Sequence, residues 1–332
     1  MSRILVVGGA GYIGSHMVRM LAAAGHAPTT LDNLSAGHRD ALLAGDLIEA
    51  DIRDADGLRR ALAGRTFDAA MHFAALAYVR ESIADPRRYY DNNVLGTLRL
   101  VDALLDAGVR RIVFSSTCAT FGAVDRDIGE DVPQHPINPY GATKLVVERL
   151  LADYADAYGL QSVSLRYFNA AGAALDGALA ERHDPEPHIV PLILREAERV
   201  LAGGDPADTT LEVFGNDFPT PDGTCVRDYV HVDDLCRAHL LALERLDAGA
   251  VVGAEAYNLG SGVGTSILEL IAAVRRVTGA DVRYRLGARK RGDPARLVAA
   301  SHKARAVLGW EPLHDLDAIV QSAWRASFPH RR

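Results

Sequence analysis

Short apolar runs alternate with amphipathic stretches along the first half of the chain, and this alternation predicts the fold. Ile4-Leu5-Val6-Val7, Ala69-Ala70-Met71-His72-Phe73 and Arg111-Ile112-Val113-Phe114-Ser115 have the length and composition of buried strands. Residues 27–31, 46–49 and 162–166 read as further strands, the first of them closing at Asp32. Apolar positions three and four apart predict helices over residues 13–24, 93–107 and 139–158. Pro139 suits the first position of the last helix, where its missing N–H costs nothing. Strands alternating with helices imply an α/β fold, a doubly wound parallel sheet of the Rossmann type.

The second half changes character. Residues 170–187 are rich in Gly, Pro, Asp and His and read as loop, as does 216–224. Helices are expected over 189–201, 232–246 and 267–278, with a strand at 211–215. The expectation is two lobes: residues 1–169 for a dinucleotide, and a smaller mixed α/β lobe over 170–332 for a substrate. Segments around 225–262 are expected to return to the first lobe.

Composition narrows the partners. A hydrophobic fraction of 48% and a charged fraction of 24% are ordinary for a globular chain. The net charge of -7 argues against a nucleic-acid partner. Arg289-Lys290-Arg291 is basic, but three charges suit a diphosphate better than a duplex. No apolar run is long enough to cross a bilayer, and the chain enters a strand at once, leaving no room for a signal peptide. Cys118, Cys225 and Cys236 are scattered and form neither a zinc pattern nor a disulfide frame, so no metal is expected and the cytoplasm is the simplest compartment.

Gly8, Gly11 and Gly14 follow a strand and open a helix at Tyr12-Ile13. Such a loop needs one glycine for the turn, one for close approach of a pyrophosphate and one for helix–strand packing. Asp32 ends the next strand, where it can accept hydrogen bonds from the adenosine ribose and repel the extra phosphate of NADP, so NAD is expected. Its alternative role is a turn cap before Asn33, and nearby Arg39 softens the argument. Asp51-Ile52 follows the third strand and is a candidate for the adenine pocket. After Phe73, another candidate for the cofactor bed, the small Ala74 and Ala75 would let the chain pass close to the cofactor, with ordinary core packing as the plain alternative.

Tyr140 and Lys144 share one helix face four residues apart. An ammonium beside a phenol favours the phenolate, giving a base able to take a proton from a sugar hydroxyl. Thr117, at a strand end, offers a hydroxyl to orient the same oxygen. Each alone has a plain explanation, a solvated helical pair or a strand-end cap; their conjunction in this order carries the signal.

In these motifs the chain resembles the extended short-chain dehydrogenase/reductase family, and within it the UDP-sugar 4-epimerases. The resemblance runs nearly end to end, through Tyr90-Asp91-Asn92-Asn93-Val94, Leu165-Arg166-Tyr167-Phe168-Asn169, Phe214-Gly215-Asn216-Asp217 and Val226-Arg227-Asp228-Tyr229-Val230-His231-Val232. It implies reversible 4-epimerisation of a UDP-hexose, such as UDP-glucose and UDP-galactose, through a 4-keto sugar on tightly bound NAD. It implies Tyr140 as acid/base, Lys144 on the nicotinamide ribose and Thr117 at the family's Ser/Thr position. It adds Asn92, Ser115 and Tyr167 around the cofactor. Around the substrate it implies Asn169, Arg227 and Lys290 at the diphosphate, Phe214 on the uracil, Asp293 on the uridine ribose, His188 where relatives carry asparagine, and Leu297 at the gate for sugar size. It also implies a homodimer built on the helices near Asn93 and Pro139.

Rival activities need an acid next to Thr117: dehydratases carry an Asp-Glu pair there and decarboxylases a Glu. Cys118 and Ala119 stand there instead, which favours epimerisation. N-acetylated or pentose UDP-sugars stay open, because leucine at 297 is of intermediate size. A catalytically silent NAD sensor is the alternative from another class. Arg80 stands where the family has glycine, and Lys290 where it has arginine, a change that keeps charge but loses the two-pronged grip.

Overall fold

The continuous apolar runs of the first half are strands buried on both faces. A computed structural model describes residues 1–290 and 293–331. Its strands in chain order are β1 (Arg3–Val7), β2 (Ala27–Asp32), β3 (Asp46–Glu49), β4 (Ala69–His72), β5 (Arg111–Thr117), β6 (Gln161–Tyr167), β7 (Asn169–Ala171), β8 (Glu212–Phe214), β9 (Val226–His231), β10 (Ala254–Leu259), β11 (Gly264–Ser266), β12 (Arg285–Gly287) and β13 (Arg296–Leu297). Seven of them form one parallel sheet in the order β10-β6-β5-β4-β1-β2-β3.

Alternate residues of β1 serve opposite layers. Ile4 and Val6 pack with Met17, Leu21, Leu235 and Leu243. Leu5 and Val7 pack with Leu100, Leu104 and Leu151. Both layers exclude water, so the strand shows no polar alternation. The strand order reverses between β1 and β4, and ligands of such sheets bind outside the carboxyl ends at that point. The glycine loop after β1, Phe73-Ala74 after β4 and Thr117 at the end of β5 therefore share one edge of the sheet.

The second half builds a smaller unit. β9 is flanked by β11, β13 and β7, and β12 pairs with β8. The helices Ile189–Leu201, Ile267–Thr278 and Leu316–Ser327 close its core through Ile193, Leu194, Leu270, Val274, Ile319 and Trp324.

Several elements differ from the sequence expectation. The expected helix at 93–107 begins as a π-helical segment, Tyr90–Leu95, before Gly96–Asp106. Residues 170–187 are not all loop, since Asn169–Ala171 pairs in parallel with β9. β9 itself escaped notice because its polar residues are buried: Asp228 and His231 are fully enclosed. β10 is the edge strand of the large sheet, and the helix Val232–Asp247 packs on that sheet through Leu235 and Leu243. Helices Ala55–Leu62 and Leu316–Ser327 also had no sequence counterpart.

Candidate active site

The glycine loop is a cradle that side chains would fill. Gly8 has φ +82°, and a Cβ there would lie 2.4 Å from the Ala74 amide nitrogen. A Cβ on Gly14 would lie 2.1 Å from the Gly8 carbonyl oxygen. Gly11 differs: a Cβ there would meet only the Gly8 oxygen, at 3.4 Å, so its outer side is open. It precedes the helix Tyr12–Ala23, whose N-terminus no side chain caps and whose first turn holds no acid. Free N–H groups and a positive helix end face that opening, the geometry a pyrophosphate requires. Ile13 packs inward on the sheet core, and the Tyr12 hydroxyl donates to the Gly172 oxygen at 2.7 Å.

Asp32 combines both roles weighed for it. Its carboxylate accepts from the amides of Ala10 at 3.0 Å and Leu34 at 2.8 Å, and so caps the turn. Each oxygen keeps a lone pair for a ribose hydroxyl. Burial pushes its pKa up, the two amide bonds pulling against that. Arg39 is drawn off to Glu49 at 2.5 Å, so it does not offset Asp32. Asn33 donates to Asp51 at 2.9 Å. Arg53 also grips Asp51 at 2.7 Å and holds its carboxyl well below the usual range. The Asp51 side chain is thus turned to Asn33 of the loop after β2 and to Arg53 of its own, with Ile52 buried behind it. The Phe73 ring stacks on His239 at 4.7 Å, and the amides of Phe73 and Ala74 both donate to Val7, leaving Ala75 half-buried beyond them.

Asn138 starts the helix Pro139–Tyr158 by accepting from the Gly141 amide at 2.8 Å. A Cβ on Gly141 would lie 2.2 Å from the Ala119 oxygen, so the helix start presses on the turn Cys118–Thr120. This contact carries Tyr140 to Thr117, whose hydroxyl opposes the rise of the phenol's pKa. Lys144 reaches under the helix, donates to the Ser115 oxygen at 2.8 Å and stands 4.8 Å from the Phe114 ring centre. The Ser115 hydroxyl is bonded to that of Tyr167.

One expectation is corrected here. The ammonium was expected to lower the phenol's pKa. Instead, burial pushes Tyr140 up to about 12 and Lys144 down to about 7. A lysine that loses its proton near neutrality supplies little field, and desolvation dominates both groups. The sequence also passed over Asn93. Its side chain bonds both the amide and the carbonyl of Leu76 and donates to Thr143 at 3.1 Å, so it locks the catalytic helix to the loop after β4. Asn92 donates to Asn93 at 3.0 Å.

The second unit meets this site around Cys118. Leu297 packs with Cys118 and Phe168, and the Arg227 charge acts on the Cys118 thiol. Register in the sheet pairs Leu297 with Arg227. Arg227 does not pair with Asp228, the plain alternative for it. It donates to the carbonyls of Val226 and Pro294, both at 2.9 Å. Asp228 is instead saturated by Ser261, Gly262 and Ala299. Asn169 donates to the Asp228 carbonyl at 3.1 Å.

The basic triplet divides. Arg289 stacks on Phe218 at 3.8 Å and pairs with Asp217 at 3.3 Å. Lys290 lies 3.0 Å from the centre of the Phe214 ring, with the Arg80 guanidinium 5.0 Å from the same ring. Arg291 lies outside the described residues. Arg80 thereby gains a place that its sequence position did not explain. The charge of Asp293 acts on Lys290 and Cys225. His188 stands apart from these groups, 2.6 Å from Glu181 and edge-on to Tyr78.

A parallel sheet whose first turn is a phosphate-sized glycine cradle defines the class of Rossmann dinucleotide-binding proteins. The chain belongs to the NAD dependent epimerase/dehydratase family, which matches residues 4–260. A UDP-glucose 4-epimerase of Rhizobium meliloti (strain 1021) is 49% identical over 97% of this chain and 96% of its own length. The crystal structure of UDP-glucose 4-epimerase from Brucella ovis in complex with NAD is 48% identical and superposes with a TM-score of 0.91, covering 100% of this chain and 98% of that one. That of Bifidobacterium longum, in complex with NAD+ and UDP, is 33% identical, with a TM-score of 0.91 and 100% of both chains covered.

Proposed function

We propose that the protein is an enzyme that reversibly epimerises a UDP-hexose at C4, interconverting UDP-glucose and UDP-galactose, with NAD held through the cycle. The observation that carries this reading is the meeting of Tyr140 with Thr117 beside a turn, Cys118–Thr120, that holds no carboxylate. An acid there would be needed to expel water or drive decarboxylation.

NAD, when bound, takes a hydride from the sugar C4 and returns it. Gly8, Gly11, Tyr12, Ile13 and Gly14 hold its pyrophosphate, and Asp32 and Asn33 its adenosine ribose. Asp51 and Ile52 border the adenine; Phe73, Ala74, Ala75, Asn92, Ser115 and Tyr167 line the rest of its bed. Lys144 holds the nicotinamide ribose. Tyr140 takes the proton of the sugar 4-hydroxyl and later gives it back. Thr117 orients that oxygen.

Asn169, Arg227 and Lys290 grip the diphosphate, Phe214 lies along the uracil, and Asp293 holds the uridine ribose. Leu297 borders the sugar side, whereas His188 is turned to Glu181 and away from it. A firm hold on the nucleotide with a loose hold on the hexose lets the 4-keto sugar present its other face. The lobe of residues 1–169 binds NAD and that of 170–332 the UDP-sugar, with 225–262 shared between them.

The protein acts as a homodimer through Tyr90, Leu95 and Val146, apolar side chains left 42%, 44% and 39% exposed near the catalytic helix. No helix among the described residues is long and apolar enough to cross a membrane. Three free cysteines suit a reducing cytoplasm. The test is a panel of UDP-glucose, UDP-galactose, UDP-GlcNAc and UDP-xylose, with Tyr140→Phe as control. Failure of NAD-loaded protein to interconvert the first two would overturn the reading.

A further inference from the structure

Four ionisable side chains of one loop turn toward a common point. Glu181, His183, Glu186 and His188 precede the helix Ile189–Leu201, and one ligand atom of each lies within 4.8 Å of all the others. His188 Nδ1 is 2.6 Å from Glu181 Oε1 and 3.3 Å from Glu186 Oε1. His183 Nδ1 is 3.3 Å and 3.6 Å from the same two oxygens. Nitrogens and oxygens thus alternate around a ring. Ligands about 2.0–2.2 Å from a tetrahedral zinc ion stand roughly 3.3–3.5 Å apart; three of these spacings lie near that range, and the His188–Glu181 pair at 2.6 Å would open by under 1 Å to admit an ion.

Two plainer accounts leave part of the cluster unexplained. A solvated acidic patch is excluded, because the Glu181 and Glu186 side chains are 7% and 0% exposed. Ion pairs join each histidine to both glutamates, but they leave atoms without an aligned hydrogen bond. His183 Nδ1, His188 Nδ1 and Glu186 Oε2 are all buried without a hydrogen-bond partner. Arg195 approaches that last oxygen only to 3.9 Å. Buried polar atoms are nearly always satisfied, and leaving several unpaired in one place is costly.

The donor set points to the missing partner. Ligation requires both imidazoles to be neutral, and two carboxylates with two neutral imidazoles carry a net charge of -2, which one divalent cation cancels. Imidazole nitrogens favour zinc and its transition-metal neighbours over magnesium or calcium, which prefer all-oxygen sites. Four protein ligands leave no open position for a reacting water, so such a site is structural. We propose that Glu181, His183, Glu186 and His188 form a structural site for one divalent transition-metal ion, zinc matching best, that fastens the loop 172–188.

The surroundings fit that role. The Tyr78 ring packs edge-on against both imidazoles, at 5.9 Å and 5.8 Å. Arg182, inside the cluster, is tied to Asp40 at 2.7 Å. Tyr12 of the glycine loop holds Gly172 at the other end of the same loop. Cysteine spacing gave no hint of such a site, because its ligands are His and Glu.

The experiment uses the full chain with its NAD. Protein stripped by a chelator and dialysed against micromolar zinc should hold one zinc per chain by elemental mass spectrometry. Its melting temperature should rise by about 3–6 °C. Cobalt in place of zinc should give the intense visible bands of tetrahedral coordination. The double variant His183→Gln/His188→Gln should take up neither metal, with NAD content as the check on folding. No zinc above background in the wild type, or equal uptake by the variant, overturns the proposal. If the variant does not fold, the wild-type cobalt spectrum decides, and absence of those bands counts against the site. Metal uptake is read without any turnover assay, so its outcome is separate from that of the epimerase reading.

Discussion

Lys144 donates its ammonium to the Ser115 carbonyl at 2.8 Å, beneath the helix that carries Tyr140. The two side chains share a helix face, but the lysine is spent on the strand end rather than on the phenol. Burial raises Tyr140 to about 12 and lowers Lys144 to about 7. When NAD is bound as proposed, its cationic nicotinamide would supply a charge that favours the phenolate. The proton step at Tyr140 is therefore expected to depend on cofactor state more than on Lys144 alone.

Tyr140→Phe removes the hydroxyl proposed to move the proton. Turnover of UDP-galactose should fall by about 10²–10⁴-fold. Thr117→Ala should lower kcat by a smaller factor, since it orients rather than transfers. A coupled assay of UDP-glucose formation reads both. Near wild-type turnover in Tyr140→Phe would remove Tyr140 from its role.

Lys144 also predicts how stability depends on pH. Its folded pKa, about 7, lies below the lysine reference value, so between the two the unfolded chain holds the extra proton. Stability then rises with pH through that window. Tyr140 acts at higher pH with the opposite sign: its folded value near 12 lies above the reference, so stability falls as pH climbs past the ordinary phenol range. Urea titrations of wild type and Lys144→Met should differ in slope from neutrality to about pH 10. Parallel curves would show that Lys144 is not destabilised by burial.

The basic triplet should split under mutation. Lys290→Ala removes the cation on Phe214 and should raise KM for UDP-galactose about 10–100-fold with a small change in kcat. Arg289→Ala should leave KM nearly unchanged, because its guanidinium is engaged with Phe218 and Asp217. Equal effects from the two would mean that the diphosphate is held elsewhere.

Gly14→Ala should cost the protein its cofactor. The added methyl would meet the Gly8 carbonyl oxygen at 2.1 Å and must push the loop away from its present path. NAD released on denaturation, measured by absorbance, should drop to a small fraction of the wild-type amount. Full NAD content would show that the loop yields cheaply.

Much of this protein was determined by its sequence alone. Unbroken apolar runs marked strands covered on both faces, and the glycine spacing after β1 marked the phosphate turn. The absence of an acid after Thr117 narrowed the chemistry. Local pattern sufficed for these because strand burial and turn geometry involve residues close in the chain. The tertiary structure decided what depends on distant contacts. It placed β10 at the edge of the large sheet, set Arg80 beside Lys290 on Phe214, and divided Arg289 from Lys290. It raised Tyr140 and lowered Lys144, because desolvation depends on everything packed around a group and not on its neighbour four residues away. It also brought Glu181, His183, Glu186 and His188 to one point, where the fold sets the distances that their order in the chain leaves open.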